Sequence, residues 1–173
     1  MVRMSEVNEE ILEQYLKVVK KWFYIGDIPF VVPRNYSNID VLGYDPKSNK
    51  YYDFEVKFRS AFSLTNNIEG INYLVEQFTK YKGFREKKLK EYIGSKKAIK
   101  VVVTTHTMMG KTEEKRKDME KNFKRLMRKE GLTSQVWYFD EMIPELVKSV
   151  NEKGRHNTQL LQTIRMLKIY GAK

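Results

Sequence analysis

A strand–turn–strand pattern between residues 38 and 58 limits the folds open to this chain more than any other feature. The second strand, over 50–58, alternates between an apolar and a charged face. Its apolar face consists of Tyr52, Phe54, Val56 and Phe58, and its charged face of Asp53, Glu55 and Lys57. A turn-forming run, 45–49, separates it from an apolar stretch that contains Asp40. Because two strands flanking such a turn pair as a hairpin, the pattern predicts that Asp40 lies beside Glu55.

Asp40 and Glu55 have the chemistry of a cation site. Two neighbouring carboxylates repel each other unless a divalent cation lies between them, and carboxylate oxygens suit Mg²⁺ or Mn²⁺. Lys57 follows Glu55 by two residues, so it lies on the same face of the strand. The alternative is a solvent-facing strand on which Glu55 and Lys57 are ordinary alternating polar residues.

The spacing of these three residues resembles the motif of the PD-(D/E)xK nuclease superfamily. Fourteen residues separate Asp40 from the triplet Glu55-Val56-Lys57, and Ile39 occupies the position where the family motif has proline. The resemblance implies that Asp40, Glu55 and the backbone carbonyl of Val56 bind Mg²⁺ or Mn²⁺. It also implies that Lys57 orients the water that attacks the phosphodiester.

A second match to the superfamily lies on a helix predicted over about 68–92. Gln77 and Tyr81 are four residues apart, so a continuous helix places them on one face. A Gln-x3-Tyr pair after the Glu-x-Lys strand resembles the RecB-type branch, and this resemblance implies that both residues support the catalytic site. The alternative is a solvated Gln77 and a Tyr81 that packs in the core.

The first predicted helix, over about 6–23, contains a third candidate acid. Glu9 precedes Leu12 by three residues and therefore lies on the inward stripe of this helix. The sequence around Glu9 resembles the first helix of archaeal Holliday-resolvase-like members, which implies that Glu9 completes the metal shell. Glu10 and Glu13 compete for this role, and an interaction of these acids with the helix dipole is a further alternative.

The distribution of charge indicates a polyanionic partner. Lys and Arg total 33 against 22 for Asp and Glu, which gives a net charge of +11. Segment 80–100 has basic residues at Lys80, Lys82, Arg85, Lys87, Lys88, Lys90, Lys96, Lys97 and Lys100. Basic segments bind phosphate backbones through counterion release. The predicted contacts to DNA, with RNA left open, are Lys80, Lys82, Arg85, Lys87 and Lys88. A solvated helix face is the alternative.

Composition excludes several other classes of protein. The chain has no cysteine, so disulfides, thiolate zinc sites and cysteine nucleophiles are excluded. Its apolar runs are too short to cross a membrane, and no apolar signal region follows Arg3. We therefore expect a cytoplasmic protein without a membrane partner. Its 173 residues predict one domain with a core over about 5–105.

The order of the predicted elements defines the expected fold. Strands are predicted near 28–32, 38–44, 50–58, 98–105 and 135–139, and helices near 6–23, 68–92 with a break at Gly83, 112–130, 141–152 and 158–170. This αβββαβ order resembles the superfamily core, which implies an α/β restriction-endonuclease-like fold with a mixed sheet of about four to five strands flanked by helices. The loop 60–67 is predicted to be mobile.

These observations together predict a Mg²⁺-dependent deoxyribonuclease, a phosphodiester hydrolase with its site at Asp40, Glu55 and Lys57. One alternative is a structure-specific endonuclease for Holliday junctions or flaps, which would act as a homodimer so that two sites cut two strands. The other is a nucleic-acid-binding module on the same fold that does not cleave.

Overall fold

The computed structural model describes residues 4–58, 68–154 and 158–171, so the predicted mobile loop 60–67 lies outside the described residues. The helices are α1 (Met4–Gln14), a π-helix (Tyr15–Lys20), α2 (Ile68–Thr79), α3 (Lys82–Ile93), α4 (His106–Met109), α5 (Glu113–Lys129), α6 (Phe139–Ser149) and α7 (Gln159–Tyr170). The strands are β1 (Phe23–Val32), β2 (Asn35–Asp45), β3 (Lys50–Val56), β4 (Ala98–Thr104) and β5 (Ser134–Tyr138).

The five strands form one mixed sheet in the order β1-β2-β3-β4-β5. The first three strands are antiparallel neighbours joined by turns, whereas β3, β4 and β5 are parallel and are connected through helices. The predicted α/β fold with a mixed sheet flanked by helices is therefore confirmed. The predicted hairpin is also present, because β2 pairs with β3 across the turn at 46–49.

Helices cover both faces of this sheet. On one face, α1, the π-helix, α6 and α7 pack on a cluster that includes Leu16, Phe54 and Val101. On the other face, α2, α4 and α5 pack on a cluster that includes Phe78 and Val102. Burial on both faces explains the nearly continuous apolar sequence of β4. Within the described ranges, no helix has both the length and the apolar content needed to cross a bilayer.

Two predicted helices differ from those observed. The first α-helix ends at Gln14 and continues as the π-helix, while Phe23 belongs to β1 and is 69% exposed instead of lying on the helix stripe. The second predicted helix is divided into α2 and α3 at residues 80–81, not at Gly83, which lies in the first turn of α3. The break occurs because Tyr81 has a non-helical backbone, with φ −125° and ψ 33°.

Near the middle of β1, the alternation of its side chains between the two faces of the sheet is reversed. Tyr24 packs on the cluster beneath α1, whereas Ile28 packs on a third cluster beneath α3. In a regular strand these two residues would share a face. The change occurs at Asp27, whose φ of 48° is left-handed and is tolerated by aspartate better than by most residues. The β1–β2 register has the pairs Gly26–Val41 and Ile28–Ile39 on either side of Asp27, and Asp40 lies between Ile39 and Val41 on β2.

Candidate active site

Asp40 lies where β2 separates from β3. The ladder between these strands ends at the pair Val41–Phe54, whereas the ladder between β3 and β4 continues to Val56. Beyond Val41, the side chain of Asp40 replaces the missing strand contact, because the Val56 N–H donates to Asp40 Oδ2 at 2.6 Å. The structure therefore brings Asp40 to the strand that carries Glu55 and Lys57, as the hairpin pattern predicted.

Glu55 is buried, and a cation contacts each of its carboxylate oxygens. Lys57 Nζ donates to Oε1 at 2.7 Å, and Arg85 Nη1 donates to Oε2 at 3.0 Å. Only 6% of Glu55 is exposed, so these contacts replace water as the partners of its negative charge. Charge-assisted hydrogen bonds of this kind are shorter and stronger than hydrogen bonds between neutral groups.

Arg85 belongs to a buried network of charges and not to the protein surface. Its guanidinium contacts both oxygens of Asp53, with Nε to Oδ2 at 2.9 Å and Nη2 to Oδ1 at 2.6 Å. Lys100 Nζ approaches Asp53 Oδ2 at 3.0 Å and also contacts Glu86. Because Arg85 is only 3% exposed, the prediction that it contacts phosphate on the surface is wrong. Its charge is used inside the protein.

Burial and the neighbouring Glu55 raise the pKa of Asp40 to about 7, although Lys57 and the Val56 N–H act in the opposite direction. Burial alone would lower the pKa of Lys57, but the Glu55 and Asp40 carboxylates outweigh it and raise that pKa above its usual value. Lys57 therefore stays protonated at neutral pH. Asp40, Glu55 and Lys57 therefore form one electrostatic unit.

Glu9 interacts electrostatically with this unit. Burial raises the pKa of Glu9, and the charges of Asp27, Glu13, Lys57 and Glu55 act on it as well. Glu13 instead packs on β1, where its Oε1 lies 2.1 Å from the position that a Cβ on Gly26 would occupy. A side chain at position 26 would therefore displace the Glu13 carboxylate. Glu9 is therefore the candidate on which the charges of Lys57 and Glu55 act.

The donor chemistry of the site fits a divalent cation bound by two side chains. In the described part of the chain, no group of three or more His, Cys, Asp or Glu side chains is arranged to bind a metal ion, so Glu9 does not complete a three-residue shell here. The Lys57 ammonium nevertheless contacts Glu55 and acts electrostatically on Asp40, which shows that positive charge is stabilised at this point. Asp40, Glu55 and the Val56 carbonyl are the residues that would bind Mg²⁺ or Mn²⁺.

The premise that Gln77 and Tyr81 share one helix face is wrong. Helix α2 ends at Thr79, and Tyr81 packs against the apolar cluster beneath α3. The side-chain amide of Gln77 donates to the backbone carbonyl of Tyr73 at 2.9 Å. The link of Gln77 to the site is its backbone carbonyl, which accepts a hydrogen bond from Arg85 Nη1 at 3.3 Å.

Two of the remaining predicted DNA contacts are used locally. Lys80 is exposed, and its ammonium lies 5.4 Å from the centre of the Tyr81 ring. Lys82 is half-buried, and its ammonium donates to the backbone carbonyl of Glu130 at the end of α5. Lys82 therefore connects α3 to α5, which leaves Lys80 as the more accessible of the two.

The other two lysines line a groove of about 360 Å³ between β1 and α3. Lys87 is exposed, whereas Lys88 forms an ion pair with Glu91 at 2.6 Å. Apolar side chains complete the lining, which consists of Pro29, Phe30, Val31, Phe84, Lys87, Lys88 and Glu91. An aromatic ring beside lysines is the combination that contacts both bases and phosphates of a nucleic acid.

Replacing Asp40 by asparagine should stabilise the metal-free protein at high pH. The pKa of Asp40 is raised on folding, so its stabilising contribution is present below its unfolded pKa and is lost as pH rises through about 7. At pH 8 we expect the free energy of unfolding of Asp40→Asn to be roughly 2–4 kcal/mol higher than that of the wild type, so that the variant is the more stable protein. Urea unfolding in a chelator at pH 4, 6 and 8 measures this difference. A difference that does not shrink toward pH 4 would contradict the assignment.

Sequence reasoning did not identify the network beneath the site. Asp53 and Lys100 are directly opposite each other in the β3–β4 register, and both are almost completely buried. One signal was present: Lys100 interrupts the apolar run of β4, and a charge inside a buried strand requires a charged partner. Asp53 lies on the charged face of β3, so it was the available partner.

Comparison with known proteins assigns no family to this arrangement. No protein-family model matches the chain, and no curated protein or solved structure matches it either. The features that bear on function are therefore the geometry of Asp40, Glu55 and Lys57 and the resemblance of their spacing to a nuclease motif.

Proposed function

We propose that this protein is a metal-dependent nuclease that hydrolyses phosphodiester bonds of DNA on a restriction-endonuclease-like fold. The observation that carries the proposal is the position of Asp40. Its carboxylate binds the N–H of Val56, the residue between Glu55 and Lys57, at the point where β2 leaves β3. A solvent-facing strand would not explain why these three charges are gathered in a largely buried place.

The side chains have separate roles in this proposal. Asp40, Glu55 and the Val56 carbonyl would hold Mg²⁺ or Mn²⁺, which would supply Lewis acidity to the phosphodiester. Lys57 keeps its proton because two carboxylates raise its pKa, so it acts as a hydrogen-bond donor and a positive charge and not as a base. A fixed ammonium stabilises the negative charge that develops on the phosphate and orients the attacking water.

A panel of nucleic acids tests this function. Labelled single-stranded, duplex, flap and four-way DNA, with matched RNA, are incubated with the protein in Mg²⁺, in Mn²⁺ and in a chelator. We expect cleavage of at least one DNA substrate that requires the metal and is absent in Asp40→Asn. Cleavage that persists in the chelator, or that is equal in the variant, would contradict the proposal.

A second candidate function is a nucleic-acid-binding module that does not cleave. Its supporting observation is that cations of the protein itself contact both oxygens of Glu55. These contacts already balance the charge of Glu55 without a metal ion. If the panel shows tight binding to nucleic acid but no cleavage of any substrate in either metal, this second function is the correct one.

The groove beside α3 gives a prediction about substrate binding. Replacing Lys87 and Lys88 together by glutamine should weaken DNA binding for every sequence tested, because phosphate contacts do not depend on sequence. Since Lys88 is already paired with Glu91, we expect the slope of log affinity against log salt to decrease by about one unit rather than two. Binding isotherms at several salt concentrations measure this slope.

The matched control for this prediction lies on α5, where Lys121 and Arg125 are also exposed. Replacing both by glutamine removes the same number of positive charges from a different helix. If this pair reduces the salt slope and the α3 pair does not, the DNA follows α5 and the lysines of α3 are a solvated surface.

A further inference from the structure

Arg85 connects the candidate metal ligand Glu55 to the interior of the protein. Its guanidinium contacts Asp53 through Nε and Nη2 and contacts Glu55 Oε2 through Nη1. Its position is fixed further by the backbone carbonyl of Gln77, 3.3 Å from Nη1, and by the Phe78 ring, whose centre lies 5.0 Å from the guanidinium carbon. Together these contacts restrain the guanidinium on several sides.

The arrangement gives the two oxygens of Glu55 different surroundings. Arg85 contacts Oε2 from the buried side, while Oε1 faces Lys57, whose side chain is 20% exposed. Asp53 has no exposed surface, so it contacts no substrate. Its two oxygens instead accept two parallel hydrogen bonds from Arg85, a geometry that fixes the plane of the guanidinium.

We propose that Arg85 is a positioning residue that fixes Glu55 through Oε2 and thereby presents Oε1 to the divalent cation. This inference rests on the proposed function, because it assumes that Glu55 is a metal ligand. It adds that the ligand geometry is set from the sheet interior, through Asp53 and Arg85, and not by the substrate. Groups that orient a metal ligand from behind commonly affect metal affinity strongly.

The sign of the expected effect separates orientation from simple electrostatics. Arg85 carries a positive charge beside a site for a positive ion, so its removal should by itself strengthen cation binding. Weaker cation binding after its removal therefore has to come from the lost orientation of Glu55. If Arg85 served only to pair with Asp53, its removal would not weaken cation binding in the folded protein.

Two charge-balanced double variants test the inference. Asp53→Asn with Arg85→Gln removes one negative and one positive charge, together with the contact to Glu55. Glu86→Gln with Lys100→Gln removes the same charges, but it leaves Asp53, Arg85 and the Arg85 contact to Glu55 in place, since Lys100 pairs with Glu86 and Asp53 and not with Glu55. Mn²⁺ is titrated into each folded protein by calorimetry without nucleic acid, and thermal unfolding of each variant is recorded in parallel.

We expect the Arg85 pair to bind Mn²⁺ at least about tenfold more weakly than the wild type, and the Lys100 pair to stay within about threefold of it. Equal weakening in both pairs, or unchanged or tighter binding in the Arg85 pair, would overturn the inference. Absence of Mn²⁺ binding by the wild type would instead show that the proposed function is wrong, and the inference with it.

If the Arg85 double variant does not fold, Arg85→Lys is titrated in its place. Lysine keeps the positive charge, but one ammonium cannot contact both oxygens of Asp53 and Oε2 of Glu55 in the geometry of the guanidinium. The same weakening of about tenfold is expected for this variant. Wild-type affinity for Mn²⁺ would again reject the positioning role.

Discussion

Replacing Asp40 by asparagine is expected to reduce metal-dependent cleavage by about 10³-fold or more, because the amide cannot supply the negative charge that binds the cation. The fold should survive, since the asparagine carbonyl can still accept the hydrogen bond from the Val56 N–H. Affinity for DNA should be unchanged or slightly higher, because one carboxylate fewer repels the phosphates. Cleavage of the best substrate in Mg²⁺ and Mn²⁺, with binding measured separately, checks each part.

The matched control is Asp45→Asn, an aspartate at the end of the same strand. Asp45 accepts hydrogen bonds from Lys47 and Ser48 within the exposed turn and does not contact the site. We expect its cleavage rate to stay within about threefold of the wild type, as for most surface substitutions. Equal loss of cleavage in both variants would show that β2 matters for stability and that Asp40 has no special role.

This substitution also connects function to stability. Asp40→Asn is expected to be inactive yet more stable than the wild type at high pH, because the buried carboxylate beside Glu55 is unfavourable without a cation. Added Mn²⁺ should raise the unfolding temperature of the wild type more than that of the variant. An acid retained at a cost in stability is typical of a functional site, where activity and stability compete.

The hairpin and its charges could be predicted from the sequence because they depend on local rules. A period of two fixes which side chains of β3 share a face, and turn-forming residues fix where the chain reverses. The β2–β3 ladder ends at the pair Val41–Phe54, and Asp40 and Glu55 are the next residue on each strand, so their proximity follows from that register. The reversal at Asp27 could not be predicted in this way, because the residue with the left-handed backbone is an aspartate and not a glycine.

The role of Arg85 could not be predicted because it depends on a distant partner. In the sequence, Arg85 is one basic residue in a basic segment, and nothing local separates it from Lys87. Its burial follows from the position of α3 against the sheet, which brings it to Asp53, 32 residues earlier in the chain. The break between α2 and α3 contributes to this placement, and Tyr81, which sits at that break, is not a typical helix-breaking residue.

Replacing Asp53 by alanine is expected to reduce the free energy of unfolding by about 3–5 kcal/mol, because it leaves two buried cations without their shared partner. Asp53 has no exposed surface and contacts both Arg85 and Lys100. Asp118→Ala, which removes an exposed aspartate from α5, is the control and should change stability by less than about 0.5 kcal/mol. Urea unfolding at pH 7 measures both variants.

The pH dependence identifies the cause of this loss. Burial alone would raise the pKa of Asp53, but Arg85 and Lys100 outweigh it and lower that pKa below the usual value. The stabilising contribution of Asp53 is therefore present above its unfolded pKa and is lost as pH falls through the lower folded pKa. The difference between wild type and Asp53→Ala should accordingly shrink in acid. A difference that is constant from pH 7 to pH 3 would show that the variant loses packing and not charge pairing.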